Sequence, residues 1–77
     1  MKSENNIGVI IPAFNEGNSV GNVIRDIPEW VDTIVVVNNN STDETKINAN
    51  KAGAIVIDEP INGYGRACLK GIQFFQN

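Results

Sequence analysis

The chain has 77 residues, 42% of them hydrophobic and 19% charged, which sets the scale of one small globular domain and excludes an intrinsically disordered segment. A net charge of −3 lacks the surplus of lysine and arginine needed to grip a nucleic-acid backbone, so nucleic acid is excluded as a partner while a nucleotide monomer is not. One cysteine, Cys68, and no histidine leave neither an internal disulfide nor a zinc site, a composition suited to a reducing, cytoplasmic compartment.

A first β-strand is expected over residues 7–12, where an unbroken apolar run suits a parallel strand covered on both faces and stops at Pro12. Asn18 or Ser19 then offers a side-chain cap for a helix in which Val20, Val23, Ile24 and Ile27 recur at helical spacing. Pro28 ends it, and Gly21 lowers its propensity by about 1 kcal/mol relative to alanine, so this helix relies on packing. Trp30 and Val31 are expected to cover the amino-terminal edge of the sheet.

The second strand, 33–37, carries Ile34 and three valines, whose branched side chains fit a buried pleated surface, and it breaks at Asn38. Ser41-Thr42-Asp43-Glu44 reads as a capping box, with Ser41 accepting from the backbone of Glu44, and starts a helix of about 43–51 that Gly53 closes. The third strand is 54–58, stopped by Pro60. From Gly65 a third helix places Ala67, Gly71 and Phe74 on one face, with Cys68, Ile72 and Phe75 beside them, and meets no stop signal.

This alternation predicts an α/β fold, βαβαβα, with a mostly parallel three-stranded sheet. Right-handed crossovers place the second strand beside the first and the third outside it, leaving the first as an open edge. An apolar open edge is an association hazard, so the unit is expected to be incomplete at its C-terminus and to be the amino-terminal part of something longer. In such sheets ligands bind at the carboxyl ends of adjacent strands, here Pro12 to Glu16 and Asn38 to Asp43.

No apolar run approaches the roughly 18 residues of a membrane span, and the stretch 1–6 is too polar and short for a signal peptide. Gly63-Tyr64-Gly65-Arg66 imitates a dinucleotide-binding glycine motif, but it follows the third strand and has Cys68 at the third glycine's place, so that reading is rejected. No Walker-type Gly-Lys-Ser or Gly-Lys-Thr occurs. With no histidine to activate it, Cys68 is read as a small packing residue.

Three blocks taken together carry a resemblance: Val9-Ile-Ile-Pro-Ala-Phe-Asn-Glu16, Val35-Val-Val-Asn-Asn-Asn-Ser-Thr-Asp-Glu-Thr45 and Asn62-Gly-Tyr-Gly-Arg-Ala-Cys-Leu-Lys-Gly-Ile72. In order and approximate spacing they resemble the start of a family 2 glycosyltransferase, across residues 7–73, and within it the branch of dolichyl-phosphate mannose synthases and polyprenyl-phosphate sugar transferases. The resemblance implies the Rossmann-like half of a GT-A sandwich, with residues 1–77 forming the amino-terminal nucleotide-binding part of a single truncated domain. It implies a nucleotide-sugar donor, UDP- or GDP-linked, and a possible polyprenyl-phosphate acceptor at a membrane surface, with membrane association of the full-length protein.

Carried over by position, Pro12, Ala13 and Phe14 match the segment lying along the nucleoside, and Asn15 and Glu16 its polar end. A carboxylate such as Glu16 can accept from ribose hydroxyls; the competing role of Asn15 and Glu16 is helix capping. Asn38 and Asn39 stand where the family usually has two aspartates, the first of which reads the base edge. An amide offers an acceptor and a donor together, matching uracil's N3–H beside its carbonyls, whereas guanine's two adjacent donors suit a carboxylate, so Asn38 is expected to favour uridine. The competing role of Asn38 to Asn40 is a turn with left-handed residues.

In the third block Gly63 and Gly65 permit close backbone approach, Tyr64 departs from a frequent lysine, and Arg66 could meet a diphosphate or remain a solvated surface residue. Turnover in the family needs a later Asp-x-Asp element holding a divalent metal, Mg or Mn, against the diphosphate, and Asp58-Glu59 lacks that spacing. The residues present are therefore expected to bind no metal, to supply no catalytic group and to be inactive alone, within an inverting enzyme. The alternative is a non-enzymatic nucleotide-binding or receiver-like α/β module, supported by Asp58 at a strand end, or an inactive remnant.

Overall fold

The structure, a computed structural model, describes residues 7–76, so residues 1–6 and any role for that stretch lie outside the described residues. Six elements alternate: β1 (Gly8–Ala13), α1 (Val20–Arg25), β2 (Thr33–Asn38), α2 (Thr45–Lys51), β3 (Ile55–Asp58) and α3 (Tyr64–Gln76). The sheet has three parallel strands in the order β1-β2-β3, as right-handed crossovers require.

Register follows from the apolar pattern. Ile10 pairs with Val35, Ile11 with Val36 and Ala13 with Asn38, and across the other side of β2 Val36 pairs with Val56 and Asn38 with Asp58. Alternate residues of β2 therefore serve opposite faces, which a strand covered on both sides needs. On one face Val36 packs with Ala13, Val20, Ile24, Ala49 and Ala54 beneath α1 and α2. On the other, Val35 and Val37 pack against Ala67 of α3, with Ile10 and Ile57 beside them.

Two glycines let α3 lie on β1. A Cβ at Gly71 would fall 2.5 Å from Cγ2 of Ile10, and one at Gly8 would enter the ring of Phe75. Gly53, at φ +103, closes α2 as expected.

Local corrections concern helix starts. Ser19 occupies the N-cap of α1 without a side-chain bond; the backbone carbonyl of Glu16 instead accepts from the N–H groups of Ser19 (3.0 Å) and Val20 (2.8 Å). The Ser41/Glu44 capping box does not form, and α2 begins at Thr45. Asp43 takes the capping role, accepting from the Thr45 N–H at 2.9 Å, because Ser41 is drawn to another loop. Val23 faces outward, and Trp30 is 67% exposed, so it does not cover the sheet edge.

Candidate functional site: the joined tips of the first two strands

The carboxyl ends of β1 and β2 are stitched together. The backbone N–H of Asn39 donates to the carbonyl of Ala13 at 2.8 Å, extending the ladder one residue past β2. Beyond it the β1–α1 and β2–α2 loops exchange side-chain bonds. Asn15 N–H donates to Ser41 Oγ (3.0 Å), Asn15 Oδ1 accepts from Thr42 N–H (2.8 Å), and Glu16 N–H donates to Thr45 Oγ1 (2.7 Å). Gly17 N–H donates to Asp43 Oδ2 at 3.1 Å, and Asn48 Nδ2 donates back to the Gly17 carbonyl at 2.8 Å.

The geometry explains the residue types. Asn15 sits at φ +50, a left-handed conformation that asparagine tolerates, and this turn aims its amide at the other loop. A Cβ at Gly17 would fall 3.1 Å from both Asp43 Oδ2 and Glu44 Cγ, a tight contact that a residue without a side chain avoids. Asp43 also accepts from the Thr45 hydroxyl, and this bond leads the causes that hold its carboxyl below the ordinary range. Ser-x-Asp is thus structural: it braces the two loops, and its Asp43 also caps the start of α2. Helix capping by the side chains of Asn15 and Glu16 does not occur.

Asn39 is buried and wholly engaged. Its Nδ2 donates to the carbonyls of Glu59 (3.0 Å) and Ile61 (2.8 Å), while Oδ1 accepts from Gly63 N–H (3.0 Å). One amide therefore shapes the β3–α3 loop and sets Gly63, at φ +136, ahead of α3. Asn38 is engaged too: Nδ2 donates to Asp58 Oδ1 at 3.1 Å, and Oδ1 accepts from Ser41 N–H at 3.3 Å. The other Asp58 oxygen takes Lys46 Nζ at 2.9 Å, and Lys46, then Asn38, hold the Asp58 carboxyl below its ordinary range. Of Asn38 to Asn40, only Asn40, at φ +63, is left-handed.

Two clefts open at these tips. One, of about 250 Å³, is lined by Pro12, Ala13, Phe14, Glu16, Asn39 and Tyr64. Phe14 is 52% and Tyr64 75% exposed, so both aromatic rings are available to a ligand. The other, of about 190 Å³, is lined by Asn38, Asn40, Ser41, Asp58, Glu59 and Pro60. Most of the residues singled out in the sequence thus meet at one edge, but Asn38 opens on the second cleft. Asn15 serves the loop brace, and Arg66 lies exposed in the first turn of α3, lining neither cleft.

Sequence reasoning passed over three contributors. Thr45 and Lys46 looked like ordinary helix positions, and nothing local revealed their partners 29 and 12 residues away. Tyr64 could have been found as an aromatic between two glycines just after a strand loop. The divalent metal expected for the full-length enzyme finds no ligand set here: Asp58 is committed to Lys46 and Asn38, and among the described residues no group of three or more acidic or thiol side chains could hold an ion. Among the described residues no helix is long and apolar enough to cross a membrane.

A parallel βαβαβα sheet with polar, interlocked strand tips defines a Rossmann-like α/β unit, and its solved neighbours are GT-A glycosyltransferases. The family model for glycosyl transferase family 2 matches residues 8–77. RfbJ of Shigella flexneri is 45% identical over 62 residues, covering 78% of this chain and 48% of that protein. Glucosyl-3-phosphoglycerate synthase of Mycolicibacterium smegmatis is 40% identical over 60 residues, covering 73% and 20% respectively. The crystal structure of glucosyl-3-phosphoglycerate synthase from Mycobacterium tuberculosis with Mn2+, UDP-glucose and glycerol 3-phosphate superposes with a TM-score of 0.81 at 30% identity, over 90% of this chain and 29% of that one. The chain thus spans half or less of the length of these relatives. It belongs to glycosyl transferase family 2, which displaces the receiver-like alternative.

Proposed function

We propose that this chain is the amino-terminal, nucleotide-sugar-binding part of a single glycosyltransferase domain, and that the donor nucleoside lies across the joined tips of β1 and β2. The observation that carries this reading is the 2.8 Å bond from Asn39 to Ala13, which sets the β1 exit beside an open, aromatic-rimmed cleft. Phe14 and Tyr64 offer faces on which a base can stack, a contact worth about 1–3 kcal/mol. Glu16, lining the same cleft, accepts from ribose hydroxyls. The backbone around Gly63 lets a diphosphate approach, and Arg66 supplies the charge to meet it.

Uridine is the proposed base. The mycobacterial synthase structures, which contain UDP or UDP-glucose, support it. For the acceptor, that synthase is crystallised with glycerol 3-phosphate, whereas the three sequence blocks resemble polyprenyl-phosphate transferases; both present an anionic phosphate, the second at a membrane surface. The relatives' Mn2+ supports a divalent ion in the whole enzyme, and no step is assigned to it through residues of this chain. The site faces cytoplasmic nucleotide sugars in this reading.

Calorimetric titration of the protein with UDP and GDP tests the proposal. UDP should bind more tightly, and Phe14→Ala should weaken it about tenfold. Failure to bind either nucleotide, or tighter binding of GDP, contradicts it. Transfer assays with the whole enzyme, offering glycerol 3-phosphate and a polyprenyl phosphate in parallel, separate the two acceptors.

A further inference from the structure

We infer that Asn39 is a positioning residue: its side-chain amide holds Tyr64 at the cleft that Tyr64 shares with Phe14, and so gives a planar base its second aromatic contact. The inference rests on the proposed nucleoside site. Within that cleft Ala13 and Asn39 are buried, while Phe14, Glu16 and Tyr64 stand exposed around them. Asn39 belongs to the floor, and the two rings to the rim.

The rings are held by different means. Phe14 follows Ala13, whose carbonyl takes the main-chain N–H of Asn39 at 2.8 Å, a bond that does not depend on the side chain at this position. Tyr64 opens α3, and the turn Tyr64-Gly65-Arg66 is exposed; Ala67 is the first residue of the helix buried against the sheet. A Cβ at Gly65 would meet nothing within 4 Å, so that turn gains no hold from packing there. It is fastened at Gly63 instead. The Gly63 carbonyl accepts from Ala67 N–H at 3.1 Å, and the Gly63 N–H donates to Asn39 Oδ1 at 3.0 Å.

The other end of the same amide fixes the approach to Gly63, donating to the carbonyls of Glu59 (3.0 Å) and Ile61 (2.8 Å). A further bond, from Ile61 N–H to Glu59 Oε2 at 3.0 Å, is internal to the loop. Serving two carbonyls and one N–H takes two donors and an acceptor on one short side chain, which a carboxylate or an alcohol does not have. Without that amide Tyr64 sits on a turn flanked by two glycines and held by fewer bonds. A ring that must be ordered on binding stacks at an entropic cost, whereas a ring already in place does not.

A double-mutant cycle on UDP affinity tests this. Tyr64→Ala should weaken UDP about fivefold or more. Asn39→Ala should weaken it about fivefold when Tyr64 is present and less than about twofold in the Tyr64→Ala background, where no ring remains to be placed. Asn39→Ser, smaller and uncharged, carries the same test if circular dichroism shows Asn39→Ala unfolded. Equal losses in the two backgrounds overturn the inference, since a merely structural role would give that result. Full UDP affinity in Tyr64→Ala, or in a folded Asn39→Ala, also overturns it and leaves the donor site resting on Phe14. Failure of the wild-type protein to bind UDP overturns the donor reading and this inference together. Without ligand, the 15N order parameters of the Gly63 and Tyr64 amides should fall in the Asn39 variant toward the flexible range, below about 0.6, while that of Phe14 stays unchanged; undiminished order at Tyr64 contradicts the role.

Discussion

The hydroxyl of Thr45, fully buried at the start of α2, accepts a 2.7 Å hydrogen bond from the backbone N–H of Glu16, 29 residues earlier in the β1–α1 loop. The same hydroxyl donates to Asp43, so one side chain ties the exit of β1 to the entry of α2. Thr45→Val keeps shape but leaves the Glu16 N–H without its partner, and should cost about 1–3 kcal/mol in urea denaturation. Thr45→Ser restores the oxygen and should recover most of that loss.

Asn39 holds the β3–α3 loop through two donated bonds and one accepted bond. Asn39→Asp removes both donors and turns a buried carboxylate toward the carbonyls of Glu59 and Ile61. A loss of about 2–3 kcal/mol is expected, larger than for most surface changes. Proteolysis should then cut first within residues 59–63.

Gly71 and Gly65 form a matched pair on α3. Alanine raises helix propensity by about 1 kcal/mol at either place. At Gly65 a Cβ meets nothing within 4 Å, so Gly65→Ala should stabilise by up to that amount. At Gly71 the Cβ lands 2.5 Å from the branched, stiff side chain of Ile10, and overpacking of about 1–3 kcal/mol should outweigh the propensity gain. Thermal melts of the two variants should move in opposite directions.

The two depressed carboxyls predict acid sensitivity of the tip loops. The Asp58 carboxyl is lowered chiefly by Lys46 and then by Asn38, that of Asp43 chiefly by the Thr45 hydroxyl. A depressed folded value gives stability that is complete above the unfolded value, about 3.9, and is lost as pH falls through the folded value. Stability measured by urea between pH 7 and 5 should be flat in this respect, then drop below about pH 4. Asp58→Asn should shrink the drop, modestly, because the Lys46 pair is half exposed and screened.

The elements were legible in the sequence because their causes are local. Alternating apolar runs, Pro12, Pro28 and Gly53 mark strand and helix ends to within a residue or two, and β2 reads as a doubly covered strand from its valines alone. The polar ends of the first two strands were legible for the same reason. What could not be read was pairing across the fold. Ser41 satisfies a capping box on paper, yet the Asn15 N–H competes for its hydroxyl, and Asp43 takes over the start of α2. Asn38 and Asn39 look interchangeable in sequence, but strand alternation sends one to Asp58 and the other to the Glu59–Gly63 loop. Trp30 looked like a lid for the sheet and lies in the open.

The central claim, that the joined ends of β1 and β2 form the donor site, is tested most directly by 15N-resolved NMR of the protein titrated with UDP. Backbone amides of Phe14, Glu16, Asn38, Asn39 and Tyr64 should shift together with one dissociation constant. Shifts confined to a surface remote from these residues, such as Lys70 and Gln73 on α3, would contradict it.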